Sequence, residues 1–230
     1  MKRIHLLLGI QSLLAVFVSF NRLTDWFEGH VLPNEFLRWV DLNNIIVALI
    51  SLLAGYLLKK TIEFDSPARE GGIHTVWNLV FIIGVFLTAV SYGDHEVTNY
   101  LHARFCDPDP GSDLCRIVIF NDDEFSHWLF FAGFIMVNAA ILFLQNVFPH
   151  PESLKGSDIG LLLLNSVFLG LGVMANLSFE EIGLDLYVVA ALALISTYLL
   201  WRRGRQPMFI YYTAAYWLGL TGSLLAQILL

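Results

Sequence analysis

The chain has 230 residues, of which 57% are hydrophobic and 14% charged, with a net charge of −7. A soluble domain carries roughly 25% charged residues. The deficit, with 18 Phe, 6 Trp and a mean hydropathy of +0.65, excludes an ordinary soluble domain and points to a membrane protein. The size suits one bundle over residues 1–230, and no basic block suggests nucleic acid.

A bilayer core about 30 Å thick needs about 20 mostly apolar helical residues. Seven such stretches are predicted, giving an all-α polytopic protein. The first, about 4–20, follows Met-Lys-Arg like a signal peptide. No small-x-small cleavage site follows it, so it is read as a span. An acidic and aromatic segment comes next, Asp25 to Asp41, holding D-W-F-E-G-H and P-N-E-F-L-R-W-V-D. Spans at about 42–59 and 73–92 follow. After the third span the text G-D-H-E-V-T-N-Y-L-H leads into a loop, about 93–125. There Cys106 and Cys115 flank D-P-D-P-G-S-D-L, a spacing that permits a local disulfide in an oxidising compartment. N-D-D-E-F-S-H opens the fourth span, 126–147. The fifth, 158–176, ends at S-F-E-E-I-G-L-D, before the sixth at 184–201. Arg202, Arg203 and Arg205 stop that span against anionic lipid. The last span is 208–229. Period-2 alternation is absent, which argues against a barrel.

Several intramembrane residues read as packing. Asn138, Asn165 and Ser166 are expected to bond between helices, and Gly170 and Gly172 to allow close helix contact. Tyr211, Tyr212 and Tyr216 read as an aromatic packing face, with a cavity lining as the alternative. Trp39, Tyr92, Trp128 and Trp201 look like interfacial anchors.

Orientation follows from counting. With the N-terminus inside, the inner segments hold Lys2, Arg3, Lys59, Lys60, Arg69, Lys155, Arg202, Arg203 and Arg205. The outer ones hold only Arg22, Arg38, Arg104 and Arg116. Nine against four places the N-terminus in the cytoplasm and the C-terminus outside, as in a bacterial inner membrane or its equivalent. Fifteen of the 20 acids then fall outside, with His30, His95, His102 and His127. His5, His74 and His150 fall inside, without a comparable acidic cluster.

The outer face carries the candidate chemistry. If the third span continues past Gly93, His95, Asn99 and His102 line one helical face. Asp123 and Glu124 lie four and three residues before His127 and share its face. Glu-x-x-His serves iron or manganese in carboxylate bundles, and carboxylate with imidazole also suits zinc. Glu180 and Glu181 enter at the same height. Capping competes with this reading, since Asn121 with Glu124, and Ser178 with Glu181, fit a capping box at helix starts that welcome acids. Capping does not account for His95, His102 or His127.

The stretch from Asp25 to Lys60 resembles the opening of the alkaline ceramidase-like membrane hydrolases of the CREST group, which are seven-helix proteins. D-W-F-E is similar to their acidic-aromatic element, and N-E-F-L-R-W-V-D-L-N-N follows as their Glu and Asn-containing helix does. Ser91 and His95 have their Ser-x-x-x-His spacing, and Asp123 and Glu124 stand where an Asp-Glu pair opens their next helix. The resemblance covers about half the chain. It implies zinc-assisted hydrolysis of a lipid amide or ester, with Asp25, Glu28 and Glu35 at the family's calcium positions. The family's last helix carries His-x-x-x-His, whereas no histidine follows His150 here, so His102 or His127 would have to substitute.

Three functions compete on these residues. The first is a metal-dependent lipid hydrolase at the outer face. A divalent metal, zinc before iron or calcium, would be held by His95, His102, His127, Asp123, Glu124 and Glu181, and Ser91, Asp123 and Glu124 would act in catalysis. With iron the same cluster suits a di-iron-type oxidase. The second is a sensor, carrier or accessory subunit whose acidic face binds cations or a protein partner. The third is a disulfide-tied lid over residues 93–125 that gates lipid entry. No Walker A, G-x-S-x-G or C-x-x-C motif is present, and no Lys in the last span would form a retinal Schiff base.

Overall fold

A computed structural model describes residues 1–64, 66, 71–106, 108–179 and 183–229. Eight α-helices order the described residues: α1 Lys2–Leu23, α2 Trp39–Phe64, α3 Gly72–Leu101, α4 Asp113–Ile119, α5 Ser126–Val147, α6 Gly156–Phe179, α7 Asp185–Arg203 and α8 Pro207–Leu229. Two π-helical turns, His102–Cys106 and Phe120–Phe125, extend α3 and join α4 to α5. A short 3-10 turn, Asp25–Phe27, follows α1, and the described residues contain no strand beyond an isolated bridge between His30 and Arg38.

Six helices are long and apolar enough to cross a membrane, and they fit an integral membrane protein. Their outward surfaces are apolar, with Leu13, Ile82 and Phe86 each more than 60% exposed. A contiguous apolar surface of this kind requires lipid or a partner to cover it. The seventh expected span corresponds to α8, which is not among the six, because its tyrosines and small polar residues dilute its hydropathy. It is instead heavily buried, with Met208, Phe209, Tyr212, Ala215 and Tyr216 at its centre. Gly204, at φ 82°, ends α7 in a conformation that favours glycine, and Pro207 starts α8 where no amide partner is needed.

Two tight helix crossings hold the bundle. At the α3–α5 crossing a Cβ on Gly84 would lie 2.9 Å from the Val137 amide nitrogen. One on Gly133 would lie 2.6 Å from the Thr88 amide nitrogen and 2.8 Å from the Gly84 carbonyl. At the α6–α8 crossing Gly170 has the same role against Ala215 and Leu218. Gly172 does not, since nothing lies within 4 Å of its Cβ position, and it lines a cavity. Asn138 accepts from the Tyr212 hydroxyl at 2.9 Å and Asn165 from Ser12 at 2.7 Å, so both bond between helices. Ser166 departs from expectation and donates to Leu163 within its own helix. Tyr216 is fully buried, whereas Tyr211 and Tyr212 line the cavity.

The histidines at the end opposite His95 have acidic partners that the sequence reading did not give them. His5 meets Asp158 at 2.9 Å and His74 meets Glu63 at 2.8 Å, with Lys59 and Lys60 on the same carboxylate. Glu63 lies on the same turns as its lysines, and only packing brings His74 to it.

The segment expected as a loop over about 93–125 is largely helical. α3 and its extension run from Gly72 to Cys106, and α4 with α5 from Asp113 to Val147, 35 residues each. At 1.5 Å per residue each is about 52 Å long, well beyond a bilayer core of about 30 Å. A Cys106–Cys115 disulfide ties the two projecting ends, with Cα atoms 5.3 Å apart. Ser112 caps α4 by accepting the Cys115 amide. Reduction is expected to lower stability by about 2–3 kcal/mol, the range for a short closed loop. A melting temperature unchanged by reductant would contradict this.

Candidate metal centre

The site forms where the projecting part of α3 faces the π turn before α5. α3 stays helical past Gly93, which puts His95, Asn99 and His102 on one face. The π turn Phe120–Phe125 carries one extra residue, and the Ser126 amide reaches back five residues to the Asn121 carbonyl. That extra residue rotates the preceding segment. Asp122, five before His127, therefore takes the inward position that regular helical spacing assigned to Asp123 and Glu124.

Asp122 is 1% exposed and is the hub. Its Oδ2 lies 2.9 Å from His102 Nδ1 and accepts from Asn99 Nδ2 at 3.3 Å. Its Oδ1 is buried without a hydrogen bond, 3.8 Å from His95 Nδ1. Asp123 approaches His102 Nδ1 at 3.9 Å from a side chain 56% exposed. His102, Asp122 and Asp123 offer donor atoms within 4.8 Å of one another, the one set of three or more such residues among those described. The rings of His95 and His127 stack with centroids 5.2 Å apart.

Side chains from α1, α2 and the residues before α2 fix this group. Arg38, just before α2, holds Asp41 with two bonds of 2.7 and 2.8 Å and donates to Asn99 at 2.8 Å, so Asn99 is clamped between Arg38 and Asp122. Glu96, 3% exposed, accepts from Arg22 on α1 at 2.9 Å and from Asn44 on α2 at 3.1 Å. The buried carboxylates are thus paired, as burial of charge requires. None of Asp122, Glu96, Arg22, Arg38 and Asn44 was a sequence candidate. The one local signal was Arg38 three residues before Asp41, at the start of α2.

Other candidates lie elsewhere. Ser91 is buried and donates its hydroxyl to the Ser126 carbonyl at 2.8 Å, tying α3 to α5. Glu124 is exposed and outside the donor set. Glu180 and Glu181 lie outside the described residues. Asp25, Glu28 and Glu35 are exposed and do not converge on a common point. Glu35 sits at φ 60°, and its carbonyl accepts from Tyr100 and Arg104.

A cavity of about 600 Å³ runs through the bundle beneath the site, lined mostly by apolar side chains, with Gln11, Ser12, Ser51, Thr88, Asn138 and Tyr212 among its polar ones. Its wall includes Tyr92 and Phe130, whose rings meet edge to face at 5.8 Å. They lie three residues from His95 and His127 respectively, so about one turn separates the cavity from the imidazole pair.

Compared with known proteins, the chain matches no protein-family model, no curated protein and no solved structure.

Proposed function

We propose that this is a seven-span membrane hydrolase with its N-terminus in the cytoplasm and its site on the outer face, cleaving a lipid amide or ester with the help of a divalent metal. One observation carries the reading: a His102–Asp122–Asp123 donor set stands about two to three helical turns above an intramembrane cavity, with the His95–His127 pair between them. The volume falls within the roughly 300–1,000 Å³ of small-molecule sites.

The residues suit a cation. Two ligands sharing a zinc-like ion at about 2.0–2.2 Å in tetrahedral geometry lie roughly 3.3 Å apart. The His102–Asp122 and His102–Asp123 separations of 2.9 and 3.9 Å bracket that value. A divalent ion there would supply Lewis-acid activation of water and of the carbonyl. The chain's own residues do the rest. Asn99 and Arg38 hold Asp122 in one orientation, and Arg22 and Asn44 keep the neighbouring Glu96 paired. Asp123, at the open side, is placed to take a proton from the attacking water and return it to the leaving amine or alkoxide as the C–N or C–O bond breaks. The cavity receives the hydrocarbon chain, and Tyr92 and Phe130 bound the passage to the carboxylates.

In nanodiscs with zinc, turnover of labelled N-acyl and ester lipids is expected, and Asp123→Ala should reduce it by about 10²-fold or more. Metal-loaded, folded protein that cleaves no amide or ester lipid would overturn the assignment. Orientation has its own test. Asn34→Cys is expected to react with an impermeant maleimide in intact cells, and Arg205→Cys only after lysis. The reverse labelling would invert the topology.

A further inference from the structure

Asp122 presents two oxygens to two different imidazoles. Oδ2 belongs to the His102 side, with Asn99 on the same oxygen. Oδ1 faces His95 and makes no hydrogen bond, although the side chain is 99% buried. His95 Nδ1 is itself buried and without a hydrogen bond, 3.8 Å from Asp122 Oδ1 and 3.9 Å from Glu96 Oε1. Glu96 already accepts from Arg22 and Asn44. His95 stands off from both, at a spacing close to the roughly 3.3 Å between ligands of one ion. A buried acceptor and a buried imidazole nitrogen facing each other unsatisfied destabilise the fold unless something lies between them.

We propose that Asp122 bridges two divalent cations: one held by His102, Asp122 Oδ2 and Asp123, the second by His95 and Asp122 Oδ1. Asp94, whose Oδ2 is also buried without a hydrogen bond, precedes His95 in the chain, and His127 stacks on His95. A carboxylate with one oxygen on each ion suits the roughly 3.5–4 Å separation of two-metal sites. The second ion sits on the cavity side of the first, nearer Tyr92 and Phe130. In such a site one ion faces the attacking oxygen and the other the leaving oxygen, which suits a substrate whose scissile group enters from the bilayer. This inference rests on the metal-site reading above and extends it from one ion to two.

The test is metal content of the full-length, detergent-purified protein, stripped with chelator, reloaded with Mn²⁺ and freed of excess ion. About two ions per chain are expected for the parent, about one each for His95→Gln and His102→Gln, and none for Asp122→Asn. The Mn²⁺ electron paramagnetic resonance spectrum of the parent should be exchange-broadened, and those of the two histidine variants should show isolated ions. His95→Asp supplies a replacement ligand and should restore the second ion, which separates ligand loss from misfolding. One ion in the parent, or two retained in His95→Gln, overturns the bridged pair and leaves the hydrolase proposal standing. No bound ion in the folded parent overturns both.

Discussion

Asp122→Ala is expected to abolish metal-dependent stabilisation and to lower stability by about 2–4 kcal/mol even without metal. The carboxylate is 1% exposed and joins His102 and Asn99, and through Asn99 it reaches Arg38 and Asp41. Truncation leaves donors facing an apolar gap, and each orphaned buried group costs about 1–3 kcal/mol. Asp123→Ala makes the contrast. Its side chain is half in solvent, so stability without metal should stay within about 0.5 kcal/mol. Thermal melts with and without zinc separate the two effects, because an ion at 100 times its Kd adds about 2.7 kcal/mol. A parent-like melt for Asp122→Ala in chelator would show that Asp122 is not the hub.

Gly133→Val should be comparably damaging. The added carbons would fall against the Thr88 amide and the Gly84 carbonyl, which are backbone and cannot swing away. Overpacking of a core costs about 1–3 kcal/mol, occasionally more, and backbone contact at 2.6 Å belongs at the upper end. The same crossing sets the distance between α3, which carries His95 and His102, and the helix that continues from Asp122. Loss of folded yield, or of metal binding in the surviving fraction, is therefore expected together. Gly9→Ala is the control, since nothing lies within 4 Å of that position. A folded, metal-competent Gly133→Val protein would contradict the account of the crossing.

The helices were legible because about 20 apolar residues leave few alternatives. α8 was legible as a helix but not as a buried one, since Tyr211 and Tyr212 carry hydroxyls whose surroundings only tertiary packing decides. The candidate site was legible by neighbourhood. His95, Asn99 and His102 share a face because α3 continues without interruption. Asp123 belongs to the donor set as expected, but the buried Asp122 was missed because helical spacing assumes 3.6 residues per turn, and the π turn at Phe120–Phe125 breaks that count by one. Nothing in N-D-D-E-F-S marks a wide turn. Glu96, Arg22 and Asn44 were hidden for another reason, as they meet only when α1, α2 and α3 pack together. The acids at Asp25, Glu28 and Glu35 had a motif without a convergence point.

The surplus length of the two 35-residue helices has a mechanical meaning. The donor set is rigidly joined to the spans, so its altitude above the lipid headgroups follows the thickness of the surrounding membrane. Short-tailed or sterol-poor lipids would lift it away from the interface, and long-tailed ones would draw it down, at fractions of a kcal/mol per Å of mismatch. Lipid composition would then act as a setting on how far a substrate must rise out of its leaflet, with no ligand or second protein involved.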